Sequence, residues 1–158
     1  MTDQLDALDR RLLAALRDDG RATVSALAAS TGLSRSSVYA RVEKMRQGGV
    51  IVGFTAVVDA KKTGLGLTAF VQVSVRQAQW KEFQAQVSSM PEVEYCALTT
   101  GGFDALLLVR VASMDDLRDV VLERLQALPM ISSTHTIFVF DEIVRRPFLL
   151  PTVSQAPA

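Results

Sequence analysis

Residues 34–47 form a positively charged stretch that is suited to contact nucleic acid. The stretch contains four cations and one anion, Glu43, in a chain whose 17 Lys and Arg balance 17 Asp and Glu. On a helix, small central side chains permit close approach to base edges while flanking cations reach phosphates. The residues that we expect to face DNA are Ser34, Arg35, Ser36, Ser37, Tyr39, Ala40, Arg41, Lys44 and Arg46. An ordinary solvated helix is the alternative, although such helices usually pair Glu with Lys four residues apart.

A glycine-rich loop between two predicted strands is the second candidate site. It comprises Thr100, Gly101, Gly102, Phe103 and Asp104. One interpretation is a hairpin turn, since glycine adopts unusual backbone angles and aspartate accepts hydrogen bonds from turn amides. The other is a binding loop, whose free amides hold a carboxylate while Asp104 accepts from an ammonium group. Such a loop would bind an α-amino acid at both charged ends, and both interpretations stay open.

Catalytic chemistry has little support in the sequence. Cys96 and His135 are the only thiol and the only imidazole. A Cys-His pair is a known nucleophilic arrangement, but Cys96 lies in a predicted strand beside Tyr95 and Leu98, as small buried cysteines often do. No His, Cys, Asp or Glu grouping has zinc spacing, and there is no phosphate loop or dinucleotide fingerprint. We therefore predict no enzyme activity, no metal and no cofactor.

The composition excludes several other classes of protein. The single cysteine in 158 residues rules out an intrachain disulfide scaffold. Charged residues interrupt the first twenty positions, so no signal-peptide apolar core forms there. No apolar run approaches the roughly 18 residues of a membrane span. We expect a soluble, cytoplasmic protein of one or two domains, without a membrane partner.

Helical periodicity in the first half predicts a small three-helix domain. Leucines recur at helical spacing from Leu5 to Leu16, and Gly20 ends the pattern. Thr23 caps a second predicted helix, Val24–Ser30, which Gly32 terminates. A third helix runs from the cap Ser34 to Gln47, with Val38, Val42 and Met45 on one buried face. Helix, glycine turn and helix make a helix-turn-helix domain, winged-helix-like, over residues 1–50.

The pattern changes after Gly49. Val50–Asp59 is β-branched and aromatic, which predicts a strand, and the polar run 61–66 follows, so we assign 51–66 to a linking strand and hinge. The next elements predicted are strand Phe70–Val75, helix Trp80–Val87, strands Val93–Thr100 and Ala105–Val111, helix Met114–Leu128 and strand Ile131–Val144. This β-α-β-β-α-β order is the ferredoxin-like αβ-sandwich. The predicted fold is α+β, with the sandwich at 67–146 and a tail at 147–158.

Two helices cover one face of such a sheet, which leaves the other face without a cover. That face carries some of the large residues of the strands, and the alternation does not fix which set. An exposed apolar sheet face is unfavourable by ~25 cal/mol per Å². We therefore predict that a second copy of the chain packs against it. The candidates for this face are Phe70, Val73, Val75, Leu107, Val109, Phe138 and Phe140.

Several segments, among them Leu5–Arg21, Gly32-Leu33-Ser34 and Gly49-Val50-Ile51-x-Gly53-Phe54, together resemble the Lrp/AsnC family of transcriptional regulators. The resemblance extends from about Leu5 to Arg146, through the predicted β-α-β-β-α-β half. Any one of the matching pieces is weak, but their spacing and the order of the second half are specific in combination. The segments that carry it are Leu5–Arg21, Leu27-Ala28, Gly32-Leu33-Ser34, Val38-x-x-Arg41-Val42 and Gly49-Val50-Ile51-x-Gly53-Phe54.

This resemblance implies a sequence-specific regulator modulated by a small amino acid bound where dimers meet. In the family, the helix matching Ser34–Gln47 reads DNA and the strand matching Ile51–Asp59 links the domains. Gly101 and Asp104 match a Gly-x-x-Asp loop that lines the amino-acid site. A polar segment near the same pocket matches Ser133, Thr134 and Thr136. The family also implies homodimers that assemble into octamers, which pair recognition helices on double-stranded DNA.

Two other functions fit the same layout. Sirohaem decarboxylases resemble this family, and their chemistry would call for His and Arg residues in a large cavity, whereas this sequence has one His. An architectural protein that bends DNA without any effector is the other. Tetrapyrrole absorbance distinguishes a decarboxylase from a regulator. A change of DNA affinity in the presence of amino acids distinguishes an effector-controlled regulator from an architectural protein.

Overall fold

The structure, a computed structural model, describes residues 5–76 and 79–143. The described chain divides into two compact units, residues 5–57 and residues 58–143. The boundary falls inside the segment that we assigned to a linking strand and hinge, and the hinge itself stays a prediction. No helix in the described ranges is long and apolar enough to span a bilayer.

The first unit contains three helices, as predicted: α1 (Ala7–Asp18), α2 (Val24–Thr31) and α3 (Arg35–Gln47). Thr23 caps α2 with a hydrogen bond from the Ala26 amide, 3.1 Å long. Gly32 ends α2 at φ 73°, a left-handed conformation that favours glycine and turns the chain into α3. The helix-turn-helix prediction is confirmed. The buried apolar residues of this unit are Leu12, Leu13, Leu27, Val38 and Met45.

The segment after α3 differs from its prediction. Residues 52–59 belong to neither helix nor strand, although Val50–Asp59 has strand composition. The amides of Val50 and Ile51 donate to the Met45 carbonyl, at 2.9 and 3.0 Å, and the main-chain bonds then stop. A strand requires a neighbouring strand for its hydrogen bonds, and this unit supplies none within residues 5–57. Val52 is 96% exposed and Val57 80%.

The second unit is a four-stranded antiparallel sheet with helices on one side. Its strands lie in the order β2-β3-β1-β4, which confirms the ferredoxin-like β-α-β-β-α-β order. Strands β2 and β4 end earlier than predicted, and Val144, Arg146 and the tail 147–158 lie outside the described residues. The elements are β1 (Leu67–Val75), α4 (Trp80–Ser88), β2 (Val93–Leu98), β3 (Ala105–Val111), α5 (Met114–Arg118) and β4 (Ile131–Val139).

The predicted helix Met114–Leu128 is α-helical only in its first part. After α5 the chain continues as a π-helix over Asp119–Leu125, where the Gln126 amide donates to the Val121 carbonyl five residues back, at 3.0 Å. The buried residues Leu117, Val121 and Leu125 recur every four residues. That interval fits a wider π turn as well as an α turn, so the apolar pattern does not distinguish them.

Cross-strand pairing fixes which residues lie on each face of the sheet. Val73, Val75, Leu107 and Val109 are buried beneath the helices, so the expectation that they are candidates for the uncovered face is wrong. Phe138 pairs with Ala69 and so shares the helix side, while Phe140 lies beyond β4. Phe70, paired with Leu108 and Ile137, lies on the other side, which we call the open face. Its large apolar residues are Phe70, Tyr95, Leu106, Leu108, Ile137 and Val139.

Candidate nucleic-acid interface and effector loop

The surface of α3 that faces away from the core is made of small and aromatic side chains. Ser36 and Ala40 are exposed, and Tyr39 is 66% exposed. Arg35 in the first turn and Lys44 further along are exposed as well. The helix therefore presents the short central side chains and flanking charge that the sequence predicted. A surface of this kind fits a major groove.

Two of the predicted contact residues serve the start of the helix. Ser34 is the N-cap of α3, and its hydroxyl accepts from the Ser37 amide at 3.2 Å. The same hydroxyl lies 3.0 Å from the Ser36 hydroxyl. Ser37 is only half-buried, so the cap leaves part of it accessible. Ser34 and Ser37 both lie at the N-terminus of α3, where main-chain amides attract phosphate groups.

Arg46 is held loosely on the surface. Its Nη1 lies 3.0 Å from Oε2 of Glu43, three residues earlier, and more than half of the arginine side chain is exposed. Exposed pairs of this type contribute at most about 1 kcal/mol. A phosphate can therefore displace Glu43, and the prediction that Arg46 contacts DNA stays a prediction.

Arg41 lies in a different environment from the one that the sequence suggested. Its Nη1 donates to Oδ2 of Asp6 at 2.6 Å and to Oδ1 of Asp9 at 2.7 Å. Both carboxylates raise the pKa of the guanidinium. The pKa of the Asp6 carboxyl is lowered, first by the hydrogen bond from the Asp9 amide and then by the one from Arg41. Arg41 thus has protein partners at the start of α1, and its expected role as a flanking phosphate contact stays a prediction.

Asp6 and Asp9 are functional neighbours that the sequence reasoning missed. Asp6 is the N-cap of α1 and forms a capping box with Asp9, in which each side chain accepts from the other's amide. An acidic residue three positions after an N-cap, just before an apolar run, is the usual signal of this motif. The spacing Asp6-x-x-Asp9 contains this signal, although it does not indicate that Arg41 binds the two aspartates.

The glycine-rich loop connects β2 to β3 as a closed turn. The Thr99 amide donates to the Asp104 carbonyl at 2.9 Å, and the Thr99 hydroxyl donates to the Phe103 carbonyl at 2.8 Å. Gly101 has φ 122°, a conformation that side chains other than glycine's rarely adopt. Gly101 and Gly102 are exposed, and a Cβ on either would meet no atom within 4 Å. The loop is therefore exposed and uncrowded at both glycines.

Asp104 has a structural partner within the sheet. Its Oδ2 accepts from the Val75 amide at 2.8 Å, and its own amide donates to the Val73 carbonyl at 2.9 Å. The carboxylate thereby ties the loop to the end of β1. The hairpin interpretation accounts for one carboxylate oxygen, and an effector ammonium group would have to use the other.

The sheet separates the three polar residues predicted on its last strand. Thr134 and Thr136 pair with Val73 and Val71 and share the helix side, whereas Ser133 pairs with Ser74 on the open face. The Thr134 hydroxyl accepts from the Gln126 amide group at 2.7 Å. Ser133, on β4, and the loop, next to β3, lie at the same end of the sheet. Strands β4 and β3 flank β1 on opposite sides, so they are two strand spacings, or about 10 Å, apart. Of these three residues, only Ser133 lies on the open face.

A buried arginine on β3 also escaped the sequence reasoning. Arg110 is 7% exposed and pairs across the sheet with Thr68, whose hydroxyl accepts from its Nη1 at 2.8 Å. The guanidinium also donates to Glu94 and, at 2.6 Å, to Glu142 beyond β4. An isolated charge in an apolar strand gave no sign of these partners, because all three are distant in sequence.

The residues considered for catalysis do not come together. Cys96 is exposed on the edge strand β2, and partial burial raises the pKa of its thiol. His135 is exposed on β4, where it pairs with Gln72. Within the described residues, no group of three His, Cys, Asp or Glu side chains is arranged to hold a metal ion.

Comparison with protein families gives two matches that together span most of the chain. The model described as the AsnC-type helix-turn-helix domain matches residues 5–46. The model described as the Lrp/AsnC ligand binding domain matches residues 68–149.

Relatives and solved structures match this chain over most of its length and most of their own. The proline dehydrogenase transcriptional activator of Rhodobacter capsulatus is 37% identical over 149 residues, which cover 92% of this chain and 97% of that protein. The regulator AldR of Mycolicibacterium smegmatis is 36% identical, over 88% of this chain and 83% of its own. A Neisseria meningitidis transcriptional regulator in complex with L-Met has a TM-score of 0.88 at 30% identity, covering 93% and 97% of the two chains. Escherichia coli AsnC has a TM-score of 0.85, also at 30% identity, covering 92% and 98%.

Proposed function

Because the chain belongs to the Lrp/AsnC family of transcriptional regulators, we propose that it binds specific DNA sequences through α3 and responds to a small amino acid. The observation that carries the first part is the exposed surface of α3, where Ser36, Tyr39 and Ala40 follow a helix-turn-helix turn. Short side chains let the helix approach base edges, and Tyr39 adds a donor and an aromatic face. Arg35, Lys44 and Arg46 supply positive charge for phosphates.

DNA binding is tested by selecting duplexes from a randomised pool with the purified chain and then measuring affinity for the selected duplex. We expect Ala40→Glu to weaken that affinity at least about 100-fold, because it puts a carboxylate at the centre of the contact surface, against the DNA. Lys81→Glu on α4 is the control, since it changes the net charge more but lies in the other unit. Equal affinities for the two variants would contradict the assignment of α3.

A homodimer is part of the proposal. The open face carries six large apolar residues that no described helix covers, and a second copy of the same face is a self-complementary occupant. The unpaired segment 52–59 also gains strand partners if two copies pair along it. Two recognition helices would then read half-sites about one turn apart and double the phosphate contacts. Assembly of these dimers into octamers is the further step that sedimentation would show.

The effector proposal is supported by the Gly101–Asp104 loop. Among the described residues, no acceptor is assigned to the Gly101 or Gly102 amides, and both glycines are exposed. These amides suit a carboxylate, and Asp104 retains one oxygen for an ammonium group. A structural neighbour of this chain was solved in complex with L-Met, which is a ligand of this chemistry.

The effector proposal is tested by thermal unfolding in the presence of each of the twenty amino acids at millimolar concentration. A ligand that binds the native state raises the midpoint, by several degrees at a hundredfold excess over its Kd. Asp104→Asn should abolish this shift while keeping the bond from Val75, since the amide oxygen still accepts. Asp104→Ala should lose both the shift and stability. If Asp104→Asn responds as the wild type does, Asp104 has a turn role only.

Neither of the alternatives gains support from the geometry. The relatives are named as transcription regulators, and we propose that this chain is likewise a regulator, acting in the cytoplasm, without enzyme activity or cofactor. His135, the only imidazole, is exposed on a strand. Tetrapyrrole absorbance in the purified protein would favour the sirohaem-decarboxylase alternative. Selected DNA without any amino-acid response would favour an architectural protein.

A further inference from the structure

We propose that Arg41 is a positioning residue, which sets the placement of the recognition helix α3 by binding Asp6 and Asp9 of α1, and that it does not contact DNA phosphate. The inference rests on the proposed function, since it concerns how α3 reads DNA. It changes the expected contact surface, because Arg41 is one of the four cations in residues 34–47.

All four carboxylate oxygens of the two aspartates accept hydrogen bonds, two from amides in the first turn of α1 and two from Arg41 of α3. Asp6 accepts from the Asp9 amide through Oδ1, at 2.8 Å, and from Arg41 through Oδ2, at 2.6 Å. Asp9 accepts from the Asp6 amide through Oδ2, at 3.2 Å, and from Arg41 through Oδ1, at 2.7 Å. Each carboxylate thus fixes the first turn of α1 with one oxygen and holds Arg41 with the other. A single Arg41 atom, Nη1, donates both of the hydrogen bonds to the aspartates.

The charge of this cluster opposes a phosphate. One guanidinium and two carboxylates sum to a net charge of −1, and the Asp9 side chain is largely buried. A phosphate that approached Arg41 would meet two anions at short range. Arg41 is also placed toward the core side of α3. At ~100° per residue, it lies about 60° around the helix from the buried Val38, away from Ala40 and Ser36.

Apolar packing alone constrains α3 weakly. Val38 and Met45 are its only fully buried apolar residues, and apolar contacts are not directional. Two charge-assisted hydrogen bonds, placed midway between them in sequence, define both the rotation of α3 about its axis and its shift along α1. Reading of base edges depends on side-chain placement within a fraction of an ångström, whereas general attraction to phosphate does not. Loss of Arg41 should therefore reduce sequence discrimination more than overall DNA affinity.

The experiment compares Arg41→Gln with Arg35→Gln, on a duplex selected by the wild-type chain and on a scrambled duplex of the same length. We expect Arg41→Gln to lower affinity for the selected duplex about tenfold, with little change on the scrambled one and an unchanged dependence on salt. Arg35, exposed in the first turn of α3, serves as the phosphate-type control. Arg35→Gln should weaken both duplexes alike and reduce the salt slope by about 1.

Asp9→Asn gives a second variant that discriminates independently of Arg41 itself. A positioning role predicts that Asp9→Asn also lowers the affinity for the selected duplex, and that the double variant is no worse than Arg41→Gln. A phosphate contact predicts the reverse, since removal of a nearby anion should strengthen binding. Arg41→Lys should recover part of the loss, because an ammonium group reaches one carboxylate. Circular dichroism at the assay temperature verifies that each variant is folded.

The outcomes separate the two proposals. A salt slope that falls by about 1 in Arg41→Gln, or equal weakening on both duplexes, overturns the positioning role and leaves α3 as the DNA-reading helix. A wild-type chain that selects no duplex overturns the proposed function instead.

Discussion

A Phe70→Glu chain is expected to sediment as a monomer at concentrations where the wild-type chain forms the proposed dimer. Phe70 lies at the centre of the open face, between Leu108 on β3 and Ile137 on β4. In the proposed dimer this position is desolvated, and an unpaired carboxylate there costs several kcal/mol. We expect the dimer dissociation constant to rise at least about 100-fold, measured by sedimentation equilibrium over a concentration series.

Lys81→Glu on α4 is the matched control, because it introduces the same side chain on the helix-covered side, where it is exposed. That variant should keep the wild-type association constant. Retention of the dimer by Phe70→Glu would show that the chains associate elsewhere, such as along residues 52–59. Circular dichroism should show the same strand signal in both variants, since the Phe70 side chain faces away from the core.

Replacement of Arg110 by alanine is expected to destabilise the second unit by about 3 kcal/mol. Arg110 is nearly fully buried and binds Thr68, Glu94 and Glu142, which belong to β1, β2 and the segment after β4. Its loss removes a buried cation that binds two carboxylates, each about one-third exposed and partly hydrated. Urea unfolding at fixed chain concentration measures the change, because a dimer gains stability with concentration.

Arg118→Ala serves as the comparison for this measurement. Arg118 is exposed and lies 3.8 Å from Asp119, a surface pair that contributes less than about 1 kcal/mol. If the two alanine variants unfold at the same urea concentration, the Arg110 cluster contributes no more than a surface ion pair. A double variant, Glu94→Gln with Glu142→Gln, should lower the cost of Arg110→Ala, because no uncompensated carboxylate then remains.

The sequence was sufficient to predict the elements whose patterns are local. The helix-turn-helix followed from caps at Thr23 and Ser34 and from Gly32, and each of these groups has the predicted partner or conformation. Predictions failed where the deciding interaction was not local. Val50–Asp59 has the composition of a strand, but pairing depends on a second strand, and the described part of the chain supplies none for it. The prediction that Met114–Leu128 is one α-helix failed for another reason, because buried residues spaced four apart fit both an α turn and a π turn.

Residue types indicated the candidate site residues, which stay predictions, but they did not show which protein groups those residues bind. Residue type and charge marked Arg41 as a cation on the DNA-reading helix, and only the packing of α1 against α3 shows that Asp6 and Asp9 bind it. Asp104 was predicted to serve either as a turn residue or as an ammonium ligand; its bond from the Val75 amide shows a structural role at the end of β1, and the ammonium role stays a prediction. Arg110 was not noticed, because its partners are brought together by the sheet.

The link from Arg41 to the first turn of α1 has a practical meaning for engineering. A new target sequence could be programmed by exchanging only the outward positions of α3, such as Ser36, Tyr39 and Ala40, while Arg41 is left in place. Transplanting a whole foreign helix would need Asp6 and Asp9 to be matched to its arginine, or the graft would dock at a different angle. In the proposed role, Arg41, Asp6 and Asp9 are therefore kept constant, while the outward positions of α3 are varied to change DNA specificity.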